Sequence, residues 1–403
     1  MDHDVVIVGG GMVGASLAVA LGGTGLSVML IESVAPGAGA QPSFDDRTTA
    51  LGNASRRIFE ALGVWPRIAA AACPIRTIHV SDAGRFGFAR LKAEGLGIDA
   101  FGFIVTNRTI GAALWAKLAD VKGITLRVPA HTEQVEIRDD AVRIALVDDR
   151  TGAKEQVTAR LVVAADGAHS SVRAAAGIDA EVEDYDQVAM VANVAADRTH
   201  DGTAYERFTP AGPLALLPLH DGSWGLVWSA QPAQSARLLA LSDVEFLDEL
   251  QRTFGWRAGR FVKVGQRASY PLKLSRAVTT VAKRSVLIGN AAQALHPVAG
   301  QGFNLGLRDA AMLAELLATT SDPGSAELLA RFEAWRSGDR SGVIRFTDGL
   351  IRLFGDRRPG IGLARNLGLL MFDLTPPAKS ALARVSAGFA GPTPRLSRGL
   401  GVR

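Results

Sequence analysis

A glycine-rich turn close to the start constrains the fold of this chain more than any other feature. Gly9-Gly10-Gly11-Met12-Val13-Gly14 has the spacing G-x-G-x-x-G, follows the continuous apolar run 5–8 and opens a helical segment over 13–21. Gly22, Gly23 and Gly25 break that helix before a second apolar run, 27–31, which ends at Glu32. Each motif glycine answers a physical need: a tight turn at Gly9, close backbone approach to a pyrophosphate at Gly11, and helix–strand packing at Gly14. Met12 and Val13 begin the helix, whose N-terminal N–H groups and dipole favour a bound anion. Glu32 is placed to accept hydrogen bonds from ribose hydroxyls and to repel a 2′-phosphate. The unit reads as a dinucleotide-binding βαβ, and Glu32 leaves NAD and FAD both open.

Two later segments decide between them. Residues 161–173 form an apolar strand running into Asp166-Gly167-Ala168-His169-Ser170-Ser171-Val172-Arg173, the pattern D-G-x-x-S-x-x-R. Residues 286–290 form another strand ending in Gly289-Asn290, and His296-Pro297-Val298-Ala299-Gly300-Gln301-Gly302-Phe303-Asn304 then brings small residues to a helix N-terminus. The texture between them differs. Alternating strands are expected at 188–194, 203–208, 214–219 and 224–229, interrupted by one helix over 242–254 that opens with the capping box Ser242-Asp243-Val244-Glu245. Short strands at 75–81 and 86–91 should join the same mixed sheet. Residues 36–42 read as an irregular loop, and helices are expected at 53–62, 110–119, 303–319, 325–354, 361–374 and 376–389. The final residues 390–403 read as frayed.

A chain of 403 residues exceeds one ordinary core, so two interleaved domains are expected. Cys73 is the only cysteine, which excludes an internal disulfide and a multi-cysteine metal site, and it reads as a small buried side chain in a reducing cytosol. No metal site is expected. No basic, apolar leader precedes the first strand, and every apolar stretch is interrupted before it is long enough to span a membrane. Residues 351–403 carry nine Lys or Arg against Asp356 and Asp373, a net +7 in a chain of net +4. No nucleic-acid motif accompanies these charges, so an anionic membrane surface or an acidic partner fits them better.

The three segments, in this order and spacing, resemble the single-component flavin aromatic hydroxylases, which share the fold of para-hydroxybenzoate hydroxylase. The resemblance implies an α/β fold: a Rossmann-like FAD-binding domain from residues 1–74, 92–183 and 272–350, an inserted mixed β-sheet substrate domain from 75–91 and 184–271, and C-terminal helices with a basic tail over 351–403. It implies that the first motif holds the ADP part of FAD and that the Asp166 segment closes over the pyrophosphate. Gly289, Asn290, Gly300, Gly302 and Asn304 would contact the ribityl chain and flavin ring, with the amides around Gly300 and Gly302 facing the charge of reduced flavin. Asn290 departs from the family's usual Asp, keeping an acceptor oxygen and losing the charge. Arg47 matches the family's loop arginine near the pyrophosphate, or is a solvated surface residue. Asn107 falls where relatives place a polar cofactor contact, or caps a helix. Pro297, His296 and Gln301 are the candidates at the catalytic face, where His296 either deprotonates a phenol or packs beside Pro297.

A finer resemblance rests on Asp45-Asp46-Arg47-Thr48-Thr49-Ala50-Leu51, Glu206-Arg207-Phe208-Thr209, Gly212-Pro213-Leu214-Ala215-Leu216-Leu217-Pro218 and Thr253-Phe254-Gly255-Trp256-Arg257. These are similar to the ubiquinone-biosynthesis hydroxylases. Gly289-Asn290 with Ala291-Ala292-Gln293 and Leu295-His296-Pro297 looks most like the branch acting on 2-polyprenyl-6-methoxyphenol. The resemblance implies an O2-dependent monooxygenase, reduced transiently by NADPH or NADH, that forms the 1,4-benzoquinol through a flavin C4a-hydroperoxide. A nicotinamide dehydrogenase would share Gly9 to Gly14 but need neither later segment; an idle flavin-binding scaffold is the other rival. Expected partners are the polyprenylated phenol, other ubiquinone-biosynthesis proteins, a membrane surface at its cytoplasmic side and a second copy of the chain. Leu382, Val385 and Phe389, beside Lys379 and Arg384 and ahead of Arg395, Arg398 and Arg403 on a mobile tail, form either a membrane-interface stripe or an ordinary packed helix.

Overall fold

The computed structural model describes residues 1–37, 47–356, 358, 360–389 and 393–403. Most of the expected loop 36–42, Asp45 and Asp46 of the Arg47 motif, Arg357, the start of the tail and the side chain of Val385 lie outside the described residues.

The strand His3–Val8 lies between Val28–Ile31 and Lys154–Ala164, parallel to both, and Ser285–Leu287 extends the parallel set beyond Lys154–Ala164. Val5, Val6 and Ile7 are fully buried because both faces of this sheet are covered. Helices Met12–Leu21, Asn107–Asp120 and Gln301–Leu317 pack on one face, while the antiparallel pair Ala130–Ile137 and Val142–Asp148 contributes to the cluster on the other. The helix expected at 110–119 begins earlier, at Asn107, because Thr106 caps it by accepting the N–H of Thr109.

A second, nine-stranded sheet stands against the ends of the parallel strands. Ala268–Ala277, Ala180–Ala196, Trp224–Ala230, Gly212–Pro218 and Thr203–Thr209 are antiparallel neighbours, and Thr203–Thr209 pairs in parallel with Thr77–Asp82. Thr77–Asp82 and Phe88–Lys92 join it as expected. The single interrupting helix becomes two, Pro232–Ala240 and Asp243–Phe254. Pro232 starts the first at a position where a missing N–H costs nothing, and the capping box at Ser242 starts the second. Leu238, Phe246, Leu250 and Phe254 from the two helices bury Met190, Leu214, Leu216, Leu226 and Trp228 on the outer sheet face. Strand alternation sends the residues of opposite parity towards the parallel sheet.

The C-terminal helices are Ala326–Gly355, Ile361–Asp373 and Pro376–Ser386. The expected frayed, mobile tail is corrected at residues 393–403, which are docked. Leu396 and Ser397 are buried, Arg395 donates its N–H to Glu315 Oε2 at 2.7 Å, and the Arg403 guanidinium bonds the carbonyls of Ala318 and Thr24. Arg403 thereby satisfies the Ala318 carbonyl left open at the end of the helix Gln301–Leu317, while the Arg395 guanidinium bonds the carbonyls of Gly401 and Arg403 within the tail. Of the two readings of 376–389, the structure shows the packed helix: Leu382 and Ala383 pack on the body, Ala387 accepts the N–H of Ala54 at 3.0 Å, and Arg57 lies 5.1 Å over the ring of Phe389. Among the described residues, no helix is long and apolar enough to cross a membrane.

Candidate active site

A cleft of about 1410 Å³ runs from the C-terminal ends of the parallel strands to the inner face of the nine-stranded sheet. A single small ligand needs about 300–1,000 Å³. The space therefore suits an extended dinucleotide together with a second molecule.

At the dinucleotide end, Gly9 has φ +102°, and a Cβ there would sit 2.4 Å from the carbonyl oxygen of Ala165. A Cβ on Gly14 would sit 2.0 Å from the Gly9 oxygen, so both positions need glycine for backbone to pass backbone. Gly11, Met12 and Val13 line the cleft at the start of their helix. Glu32 accepts the N–H of Gly10 at 2.6 Å and of Val34 at 2.9 Å, and keeps lone pairs for ribose hydroxyls. Arg47 lines the cleft with its guanidinium 4.6 Å over the Tyr270 ring. Asn107 begins its helix and lines the cleft as well, accepting from the Thr49 hydroxyl at 2.7 Å.

Asp166 supplies the clearest sign of an absent partner. Its Oδ2 accepts from the Ser171 N–H at 2.8 Å, whereas its Oδ1 is buried with no hydrogen-bond partner among the described residues. Leaving a carboxylate oxygen so costs free energy unless a ligand hydroxyl completes it. A flavin dinucleotide carries such hydroxyls on its ribose and ribityl chain, so the carboxylate acceptors present fit FAD. Arg173 ties this segment to the third by donating to the carbonyls of Ala168 and Ala291 at 2.8 and 3.0 Å.

In the third segment, Gly289 has φ +59°, a Cβ there would sit 3.2 Å from the Val13 side chain, and Asn290 is exposed to the cleft. The loop is bolted from behind. Asp309 accepts from the Gly289 N–H at 3.4 Å, from Gln293 at 3.0 Å and from Arg336 at 2.7 Å. Asp339 completes the network with Arg308 at 2.9 Å and Arg336 at 2.5 Å. These four charges were not singled out in the sequence. The available signal was the placement of Arg308 and Asp309 amid the mostly apolar run 305–314, with Arg336 and Asp339 one turn apart on the next helix.

Several expected roles shift. Gly300 spends its N–H on Pro297 at 2.9 Å and so does not offer it to a flavin. Gly302 lines the cleft in the first turn of its helix, where N–H groups have no intrahelical acceptor. Asn304 does not reach the cleft. Its oxygen accepts from Gly52 and Ser55 at 2.9 and 2.6 Å, and its amide donates to Ala50 and Gly300 at 2.7 and 2.8 Å, so it clamps the loop. Gln301 is buried at the first position of the helix, away from the cleft lining. Pro297 is exposed in the cleft beside His296.

His296 spends one ring nitrogen inside its own loop. Its Nδ1 accepts the Val298 N–H at 3.1 Å, which assigns the proton to Nε2, and burial lowers its pKa to about 4. The ring packs edge-on against Tyr185 with centroids 5.3 Å apart. A carboxylate lies on the sheet side of the same cleft. Register places Glu206, Ala215, Val227, Val191 and Ala268 side by side across the sheet, all lining the cleft. Glu206 is the one carboxylate in that apolar row, and desolvation raises it to about 7. Strand alternation was the available signal: within 203–209, Glu206 shares the parity of Ala204 and Phe208, while Arg207 points to the opposite side. Among the described residues, no cluster of His, Cys, Asp and Glu is placed to hold a metal ion.

Residues 2–347 match the FAD binding domain family. The ubiquinone hydroxylase UbiL of Rhodospirillum rubrum is 39% identical over 98% of this chain and 93% of its own length. The 3-demethoxyubiquinol 3-hydroxylase of Escherichia coli is 33% identical over 91% of this chain and 94% of its own. Among solved structures, the p-nitrophenol 4-monooxygenase PnpA from Pseudomonas putida has a TM-score of 0.80 at 20% identity, covering 96% of this chain and 98% of that one, which shows a shared fold. The glycine turn, the open Asp166 oxygen and the whole-length similarity agree, and the chain belongs to the FAD-dependent monooxygenases of ubiquinone biosynthesis.

Proposed function

We propose that this enzyme hydroxylates the ring of a polyprenylated phenol, converting 2-polyprenyl-6-methoxyphenol to the 1,4-benzoquinol. The observation that carries this reading is the apolar sheet wall with Glu206 as its single carboxylate, facing the dinucleotide cradle. Bound FAD, reduced by NADPH or NADH, supplies the activation of O2. The chain's own part is to hold the ring and move a proton. Ala189, Val191, Ala215, Leu217 and Val227 pack on the ring and exclude water. Glu206, poised near neutrality, accepts the phenol proton and makes the ring more electron-rich. Pro297 bounds the space where ring and flavin meet, and Gly302 offers its N–H to negative charge on the reduced flavin. The polyprenyl tail keeps the substrate at a membrane while the cleft works from the cytosol.

A second reading, hydroxylation at another ring carbon, is favoured by the similarity to the 3-demethoxyubiquinol 3-hydroxylase. Mass spectrometry of the quinone intermediates that accumulate when the gene is lost separates the two. Accumulated 2-polyprenyl-6-methoxyphenol supports the first reading, accumulated 3-demethoxyubiquinol supports the second, and an unchanged quinone profile contradicts both.

A further inference from the structure

Two segments that resemble motifs of the ubiquinone hydroxylases, 206–209 and 253–257, meet at a place the flavin cleft does not explain. Glu206 faces the flavin cleft, but Arg207 points to a second cleft of about 490 Å³ with Trp256, Arg257 and Arg85. Arg207 donates to the Thr253 carbonyl at 3.0 Å, and Arg257 lies 5.8 Å over the Phe88 ring. Neither these two nor Arg85 makes an ion pair among the described residues. The nearby carboxylate of Asp82 is already held by Arg365 at 2.7 Å and by Asn366 at 3.0 Å. Arg207 and Arg257 repel each other: burial first and then Arg257 lower the pKa of Arg207, and Asp82, shared with Arg365, offsets this only in part. Such a cluster is stabilised by an external anion.

The rim of this cleft is apolar. Trp256 and Phe86 are exposed there, and Leu363 lines it. Leu363 is also the first member of a stripe on the helix Ile361–Asp373 and the residue after it: Leu363, Leu367, Met371 and Leu374 are 54, 48, 69 and 81% exposed. Their spacing puts all four on one face. The opposite face is pinned, since Asn366 is buried, accepts the Gly87 N–H at 2.6 Å and donates to Asp82. An exposed apolar stripe continuous with an unneutralised basic cleft suits an interface in which apolar tails lie beside anionic headgroups.

We propose that this face docks on an anionic phospholipid bilayer, with Arg85, Arg207 and Arg257 receiving a lipid phosphate and Leu363, Leu367, Met371 and Leu374 entering the acyl boundary. This deepens the reading of a polyprenylated substrate, and places membrane contact on this helix instead of the docked C-terminal tail.

The test is co-sedimentation of the full-length, FAD-loaded protein with vesicles, in the absence of substrate, so that failure of docking and failure of the proposed reaction are separate results. Vesicles of equimolar phosphatidylcholine and phosphatidylglycerol should bind the protein, and phosphatidylcholine alone should bind it weakly. R85E/R257E should weaken binding at least tenfold, since each cation near an anionic surface contributes about fivefold. L367E/M371E should do the same, whereas R398E, on the tail, should bind like the parent. Retained flavin absorbance and turnover of a short-chain phenol show that each variant is folded. A blue shift of tryptophan emission on vesicle binding, lost in Trp256→Phe, reports contact without charge reversal. Absence of any preference for phosphatidylglycerol overturns the proposal, as does parental binding by R85E/R257E and L367E/M371E. A dimer that L367E/M371E splits with vesicle binding unchanged also overturns it and assigns the stripe to a second copy of the chain.

Discussion

The two walls of the flavin cleft solve opposite problems. The wall at the ends of the parallel strands works through backbone and a few fixed polar atoms: Gly9 and Gly14 let main chain approach main chain, Glu32 is held by two N–H groups, and Asp166 is left one partner short. The sheet wall opposite presents the apolar row Ala215, Val227, Val191 and Ala268 beside its one carboxylate, which desolvation raises to about 7. Pre-formed partners give a rigid cofactor affinity, while the lack of partners gives a titratable group its reactivity. Polar satisfaction builds the first wall and polar deprivation the second.

This contrast can be broken from behind the first wall. Arg336→Met leaves Asp309 and Asp339 buried without their shared cation, so thermal or denaturant unfolding should show a loss of about 3–5 kcal/mol, with weaker FAD retention because Asp309 holds Gly289. Unchanged stability would mean that the network does not bolt the loop.

On the second wall, Glu206→Gln should lower kcat/KM by roughly 10²–10⁴-fold, the usual scale of a general base. A base acts when ionised, so the parent enzyme should lose activity as pH falls below about 7, the value burial gives Glu206. The Gln variant should lack that acid limb. His296, lowered to about 4 by burial, lies too low to produce it. A parental pH profile in the variant would remove Glu206 from the proton path.

The smallest effect expected is on cofactor affinity. Glu32→Ala should weaken FAD binding by about 1.5–3 kcal/mol, measured by titrating flavin into the apoprotein. The pH dependence of turnover in the reloaded variant should match the parent, because Glu32 belongs to the wall that binds and not to the one that reacts.

The sequence was most informative where local chemistry dictates geometry. The glycine turn, the capping box at Ser242 and the strands beside them follow from residues close to one another in the chain. It was least informative where the outcome depends on long-range partners. Asn304 looks like a cofactor contact until Gly52, Ser55, Ala50 and Gly300 are seen to use all its capacity. The tail looks free until Glu315, Ala318 and Thr24 are seen to receive it. Glu206 was visible only as part of a motif, since its strength as a base comes from strands paired across the sheet.

The most direct test uses purified protein reloaded with FAD, NADPH, a short-chain 2-prenyl-6-methoxyphenol and ¹⁸O2, with mass spectrometry of the product. A quinol carrying one ¹⁸O atom on its ring, formed in proportion to the NADPH consumed, is the expected result. NADPH oxidation that yields only hydrogen peroxide, or a product whose new oxygen comes from water, would contradict the assignment of this cleft to ring hydroxylation.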